Sequence, residues 1–207
     1  LPSLPLLLLQ RLPYSAARRT PIEPPKQVAI LQQSDFPLAV GYWWKYLVTD
    51  GLGNPDDTIT VSIVNSQVVG VQTQFNFEVR KNNGAIVDSG FYATENGTVK
   101  YKSKHPGYPY FGDIYYSFPM QDSSTWPATS ATDAVYVVGI ADSIVFYNKV
   151  YKPMFFLQRN HKTGPTYQYL QTQELCPKVG LVSASIYYYD MYPRQSQAYF
   201  LIDYKVN

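Results

Sequence analysis

Alternation with a period of two is the feature that most constrains this chain. Ile59, Val61 and Ile63 fall on one side of an extended segment, with Thr58, Thr60 and Ser62 on the other. Phe75, Phe77 and Val79 interleave in the same way with Gln74, Asn76, Glu78 and Arg80. A strand, whose successive side chains point to opposite faces, turns that pattern into one buried and one wet face. Asn83-Gly84 follows directly, and both residues tolerate the positive φ of a tight hairpin. Ile86 to Ala93 then reads as the return strand, Asn96-Gly97 as the next turn and Thr98 to Ser103 as a third strand. Residues 72–103 are thus predicted to form a three-stranded meander.

The same logic extends over most of the chain. Pro37 and Gly41 hand over to aromatic and β-branched residues from Tyr42 to Thr49, which suit a pleated, half-buried surface. Residues 104–134 break the rhythm with Pro106, Gly107, Pro109, Gly112, Pro119 and Pro127, leaving room for a short strand at Ile114 to Phe118. Further strands are expected at Ala134 to Ile140, Ser143 to Tyr151, Met154 to Arg159, Thr166 to Leu175, Leu181 to Tyr189 and Ala198 to Val206. Lys162 to Pro165 supplies a hairpin turn. No amphipathic helix of three turns is visible, although Ser34–Leu38 or the 121–133 loop has room for one short helical turn. No segment repeats at the spacing of a solenoid or propeller. The fold class is mostly β: an antiparallel meander of roughly ten strands, closed into a barrel-like or sandwich form.

Residues 1–34 are a different kind of sequence, and the expected division is an extended N-terminal arm over 1–34 and an antiparallel β domain over 35–207. Leu1 to Leu9 is apolar but broken by Pro2 and Pro5, and too short to span a bilayer as a helix. Pro21, Pro24 and Pro25 make a stiff, extended linker. The arm carries Arg11, Arg18, Arg19 and Lys26 against Glu23, a net charge of +3, so that the remainder of a chain of net +2 is close to neutral. A near-neutral body lacks the basic stripe that meets phosphates, so no nucleic-acid partner is expected. An arm with no core of its own is expected to be held by something else, through Leu6, Leu7, Leu8, Leu9, Arg11, Tyr14, Arg18 and Arg19. The alternative reading is an uncleaved targeting signal, with Leu1 to Leu9 as the end of a signal peptide or the basic Arg11 to Arg19 as a transit peptide.

Charged residues make up 15% of the chain, against roughly 25% in an average soluble domain. Aromatics take their place: 20 Tyr, 10 Phe and 3 Trp. Tyrosine has an apolar body and a polar tip, which suits half-wet sheets and contact surfaces. Tyr108 and Tyr110, with Phe111, Tyr115/Tyr116 and Tyr187 to Tyr189, are the candidates for such a surface. Consecutive strand residues point to opposite faces, so one of Trp43 and Trp44 is expected in the core.

Signals for chemistry are weak. His105 and His161 do not share a metal-ligand spacing, and Cys176 stands alone. Asp56-Asp57 lies in a Gly/Asn/Pro turn, where acids serve turn geometry, and it lacks the spaced acidic series of a calcium loop. GLGN at 51–54 leads into Pro55 rather than a helix and is not a phosphate cradle. Asn96-Gly97-Thr98 fits a glycosylation sequon that the turn alone explains. Glu78 and Glu174 have no evident partner. No catalytic residue, metal site or cofactor is assigned, and the chain is not expected to be an enzyme.

Two phrases carry a resemblance. FPLAVGYWWKYLVTD (36–50) resembles the opening strand of bacterial secreted and lipoprotein-type β domains, matching at Phe36, Pro37, Leu38, Val40, Gly41, Trp44 and Tyr46. CPKVGLVSASIYYYD and AYFLIDYKVN (176–207) are similar to their closing hairpin, through Gly180, Leu181 and Val182 and then Leu201, Ile202 and Tyr204. Lipoproteins of that set carry a lipid-accepting Cys after the signal peptide; no Cys precedes Phe36 here, which points to an unlipidated chain or to tethering by the arm. The resemblance implies a secreted or cell-envelope location, periplasmic or outer-surface. The expected role is a non-catalytic accessory or structural protein that binds a larger protein assembly through the arm and exposed aromatics. The alternatives are a glycan- or ligand-binding β module, a viral capsid or spike component, and a hydrolase with a dispersed two-carboxylate site.

Overall fold

The computed structural model describes residues 28–50, 53–104, 115–130, 133–163, 167–188 and 196–207. Its strands are β1 (Trp43–Asp50), β2 (Pro55–Val69), β3 (Gln72–Lys81), β4 (Ile86–Glu95), β5 (Thr98–Ser103), β6 (Tyr115–Ser117) and β7 (Thr125–Ser130). They continue as β8 (Asp133–Ala141), β9 (Ile144–Phe146), β10 (Lys149–Tyr151), β11 (Met154–Thr163), β12 (Tyr167–Cys176), β13 (Gly180–Tyr188) and β14 (Ser196–Lys205). Among the described residues the one helical element is a 3₁₀ turn at Gln33–Asp35, which overlaps at Ser34–Asp35 the Ser34–Leu38 stretch where a short helical turn had room.

Twelve of these strands form one antiparallel sheet in the order β6-β5-β4-β3-β2-β1-β14-β13-β12-β11-β8-β7. The sheet curls until it is nearly closed into a barrel. Its two end strands, β6 and β7, come together where the Trp126 Nε1–H donates to the Tyr115 carbonyl at 2.7 Å. The first and last strands of the body lie side by side in the middle of the sheet, with Trp44 opposite Tyr204 and Leu47 opposite Phe200.

The alternation does what its period requires. Ile59, Val61 and Ile63 of β2 and Phe77 and Val79 of β3 point into the barrel and are fully buried. The β3–β4–β5 meander forms with its Asn83-Gly84 turn, and Asn96 and Gly97 take φ of 43° and 78° in the second turn. Phe77, Tyr92 and Tyr101 fill this side of the interior, with Phe77 and Tyr101 stacked at 4.8 Å. Gly90 makes that packing possible: a Cβ there would lie 2.0 Å from the Lys102 carbonyl oxygen and 2.8 Å from the Phe77 ring.

Four departures from the sequence reading have physical causes. Ser143 to Tyr151 is a hairpin, β9 and β10, because Tyr147 and Asn148 take φ of 45° and 60° and reverse the chain without glycine. The hairpin lies on β14 through Phe146 against Phe200 at 5.5 Å and a Lys149–Asp203 ion pair at 3.1 Å. The 121–133 loop contains β7, which tolerates Pro127 because it is an end strand. The strand count exceeds the expected number, chiefly through these short elements. Finally, Leu31, expected in the arm, is a core residue at 1% exposure. Its N–H and C=O each bond Met120 at 2.9 Å, so the body takes in the chain from there.

Among the described residues two acids are buried in the barrel wall, and each has its partners. Asp88 accepts from the Tyr101 hydroxyl at 3.0 Å, the Ser103 hydroxyl at 2.7 Å and the Ser89 N–H at 2.7 Å. Asp133 accepts from Arg159 in a two-pronged pair, with Nε at 2.7 Å and Nη2 on the other oxygen. Breaking a buried pair of this kind by removing one member costs about 3–5 kcal/mol.

Candidate functional site

The barrel is filled by side chains, and a cleft lies at its rim. At one end the chain from Gln32 to Tyr42 is strapped across the opening. The Gly97 N–H donates to the Gln33 side-chain oxygen at 3.0 Å, and the Lys178 N–H donates to the Asp35 carbonyl at 2.6 Å. Asp35 caps the 3₁₀ turn by accepting from the Gln32 N–H at 3.0 Å. Phe36 drops into an aromatic nest, 5.3 Å from Tyr116 and 6.3 Å from both Tyr92 and Phe118.

The two phrases that carry the sequence resemblance meet here. The Trp44 Nε1–H donates to the Val179 carbonyl at 2.7 Å, and the Tyr46 hydroxyl to the Leu181 carbonyl at 2.9 Å. Gly180 has φ of 91° and lies beside Pro37, so a side chain would be strained there. The strap leaves an open cleft of about 760 Å³ beside it. Phe75, Tyr42 and Leu38 give the cleft apolar walls; Gln33, Lys178 and Asn207 give it polar ones. The Tyr42 hydroxyl donates to the Asn207 carbonyl at 3.1 Å.

Next to the cleft, β2 and β3 run on past the point where β1 stops pairing with β2. Beyond Ile63 the strand has a bulge at Val64, and every residue from Val64 to Val71 is exposed. Val68 and Val71 are 75% and 80% exposed. A two-residue turn, Gly70-Val71 with Gly70 at φ 62°, closes the hairpin. Glycine at the first of two central positions suits a type II′ turn. One face of the overhang is a ladder of amides: the Asn76 side chain donates to Asn65, and that of Gln67 to Gln74 at 3.2 Å.

Other sequence candidates have structural places. Asp57 pairs with Lys81 at 2.8 Å, and this bond, with the Thr58 N–H, holds its carboxyl below the usual range. Glu78 pairs with Arg80 at 2.6 Å. Among the described residues no group of three or more His, Cys, Asp or Glu is placed to hold a metal ion. His161 lies in β11 opposite Tyr169. Cys176 is buried, which pushes its thiol up. Trp44 is the core member of its pair, and Trp43 is half-buried. Burial holds the phenols of Tyr46, Tyr92, Tyr101 and Tyr116 well above their ordinary range and pushes that of Tyr151 up to about 12.

Leu6, Leu7, Leu8, Leu9, Arg11, Tyr14, Arg18, Arg19, Tyr108 and Tyr110 all lie outside the described residues, as does His105. Among the described residues, exposed aromatics stand on β8 as Tyr136, on the β9–β10 hairpin as Tyr147 and on β13 as Tyr187. The overhang was missed because its valines, serines and amides read like any other strand. Its one local signal was Gly70, a turn residue inside a long β-prone run.

No family profile matches the chain, and no curated protein matches it. Two solved structures share its fold. One is described as a "putative lipoprotein" from Parabacteroides distasonis: TM-score 0.52, 14% identity, 84% of this chain and 99% of that one. The other is a "putative exported protein with YmcC-like fold" from Bacteroides fragilis: TM-score 0.51, 12% identity, 82% of this chain and 98% of that one. The fold to which this chain is similar is thus a β architecture found in proteins so described. No helix among the described residues is long and apolar enough to cross a membrane.

Proposed function

We propose that the chain is a non-catalytic accessory protein of the bacterial cell envelope or exterior, docking on a larger protein assembly through its N-terminal arm. The observation that carries this reading is the fixed root of the arm. Leu31 is buried in the barrel and bonded on both sides to Met120, so whatever holds residues 1–27 also holds the barrel in place. The exposed Tyr136, Tyr147 and Tyr187 supply further contact surface. The two structural neighbours, each described as a lipoprotein or exported protein, support the location.

The test is removal of residues 1–27, which spares Leu31 and the strap. The truncated chain should unfold at the same temperature as the full chain and lose co-purification with its envelope partner. Retained co-purification would overturn the assignment to the arm.

The cleft favours a second reading, a ligand-binding module. Phe75 and Tyr42 beside Gln33 and Asn207 combine ring faces with amide groups, a lining suited to a neutral polar ligand such as a glycan. A glycan array probed with the full chain and with Phe75→Ala separates the two. Binding lost with the ring would favour the module, and an array with no signal would dismiss it.

A further inference from the structure

Among the described residues the overhang is an unguarded sheet edge. The ends of the main sheet are protected: β6 has three residues, β7 carries Pro127, and the Trp126 bond joins them. The outer edge of β2 is different. Its pairing with β1 ends at Ser62, and the last bonds across are between Ile63 and Tyr42 and Gly41 at 2.9 Å. Gly41, at φ 89°, then turns the chain away into the strap. From Thr58 to Phe77 the sequence contains no Asp, Glu, Lys, Arg or Pro, the residues that usually discourage edge pairing.

Parity shows which groups are exposed. A two-residue hairpin turn is flanked by a hydrogen-bonded pair, here Val69 and Gln72. Hydrogen-bonded and non-hydrogen-bonded pairs alternate along an antiparallel ladder. Gln67–Gln74 and Asn65–Asn76 are therefore bonded to each other. Ser66 and Val68, opposite Phe75 and Thr73, direct their N–H and C=O groups away from β3. Among the described residues no backbone bond beyond β3 is made by residues 64–69.

We propose that this edge pairs with the same edge of a second copy, antiparallel, about a two-fold axis at Gln67. That register matches donors to acceptors: Ser66 of each copy faces Val68 of the other and exchanges both backbone bonds with it. It also keeps like faces together. The amide ladder then runs without a break through Gln74 and Gln67 of one copy into Gln67 and Gln74 of the other, the kind of side-chain ladder that stacked amides favour. An edge that is uncharged and self-complementary about one residue fits a second copy, because a closed two-fold contact needs one patch to match itself. This contact goes beyond the proposed function and does not use the arm.

Sedimentation velocity of the full chain over a range of concentrations tests it. The parent chain should show a reversible monomer–dimer equilibrium. Gln67→Lys and Gln67→Glu each place like charges opposite one another at the axis and should weaken the dimer at least tenfold. An equimolar mixture of the two should restore it. Circular dichroism shows whether each variant is folded, and Gln67→Cys offers a route that adds no charge. Its two thiols meet at a non-hydrogen-bonded pair, so mild oxidation should link the copies. A chain that stays monomeric at every soluble concentration would overturn the proposal. So would a dimer that survives both charge variants, or a Gln67→Cys chain that links no better than its parent. Loss of the dimer with the envelope partner still captured would leave the arm's role standing.

Discussion

β2 is one strand with two fates. From Ile59 to Ile63 its apolar side chains are sealed in the barrel, between β1 on one side and β3 on the other. From Val64 to Val69, residues of much the same kind stand in solvent with β3 alone beside them. Propensity does not separate the halves, because valine, serine and amide side chains fit either setting. Coverage does. β1 follows β2 as far as Tyr42, and the Gly41 turn takes the chain elsewhere. The first half therefore serves stability and the second is left for contact.

The sharpest way to break that contrast is to place a charge in each half. Val61→Asp puts an unpaired carboxylate in the barrel and should cost more than about 4 kcal/mol, enough to unfold a marginal domain. Val68→Asp should move stability by no more than about 0.5 kcal/mol, as at other exposed sites. Urea denaturation of both variants measures the difference. Equal losses would mean that the overhang is part of the core.

The buried wall sharpens the comparison next. Asp133→Ala removes the carboxylate that pairs with the buried Arg159 and should cost about 3–5 kcal/mol. Leu31→Ala should cost about 2–5 kcal/mol, the range for emptying a packed aliphatic site. A cost near zero for Leu31→Ala would detach the strap from the body and remove the fixed root proposed for the arm.

Tyrosine titration reports on the buried rings. Burial raises the folded-state pKa of Tyr46, Tyr92, Tyr101, Tyr116 and Tyr151, the last to about 12. A raised folded value means that the stabilisation is whole below the unfolded value, near 10, and is lost as pH rises above it. Phenolate absorbance from these five rings should thus appear only as pH rises beyond that value, together with loss of circular dichroism. A small effect also belongs to the surface pair of Asp57 and Lys81. The depressed Asp57 pKa gives stability that is present above the usual carboxylate value and fades as pH falls through the lowered one. Asp57→Asn should cost no more than about 1 kcal/mol at neutral pH.

The parts that the sequence disclosed were those where one residue's environment follows from its neighbours. Ile59, Val61 and Ile63 declare a buried face by spacing, and Asn83-Gly84 and Asn96-Gly97 declare turns by backbone preference. The Tyr147-Asn148 turn was hidden because tyrosine seldom takes positive φ. The Asp133–Arg159 pair was hidden because its members are 26 residues apart, and only the β8–β11 register unites them. The overhang was hidden for a third reason: its exposure depends on where a different strand ends. Of the candidate site, the strap residues Phe36, Pro37 and Leu38 carry part of the resemblance, but their place at the rim depends on contacts with Tyr116 and Gly180, distant in sequence.

Amide hydrogen exchange along β2 tests the central contrast most directly. At low protein concentration the amides of Val61 and Ile63 should exchange only through global opening. Those of Ser66 and Val68, which point away from β3, should exchange at rates close to an unstructured chain and gain protection as concentration rises. Strong protection of Ser66 and Val68 in the dilute monomer would contradict the account, because it would mean that the overhang is already covered.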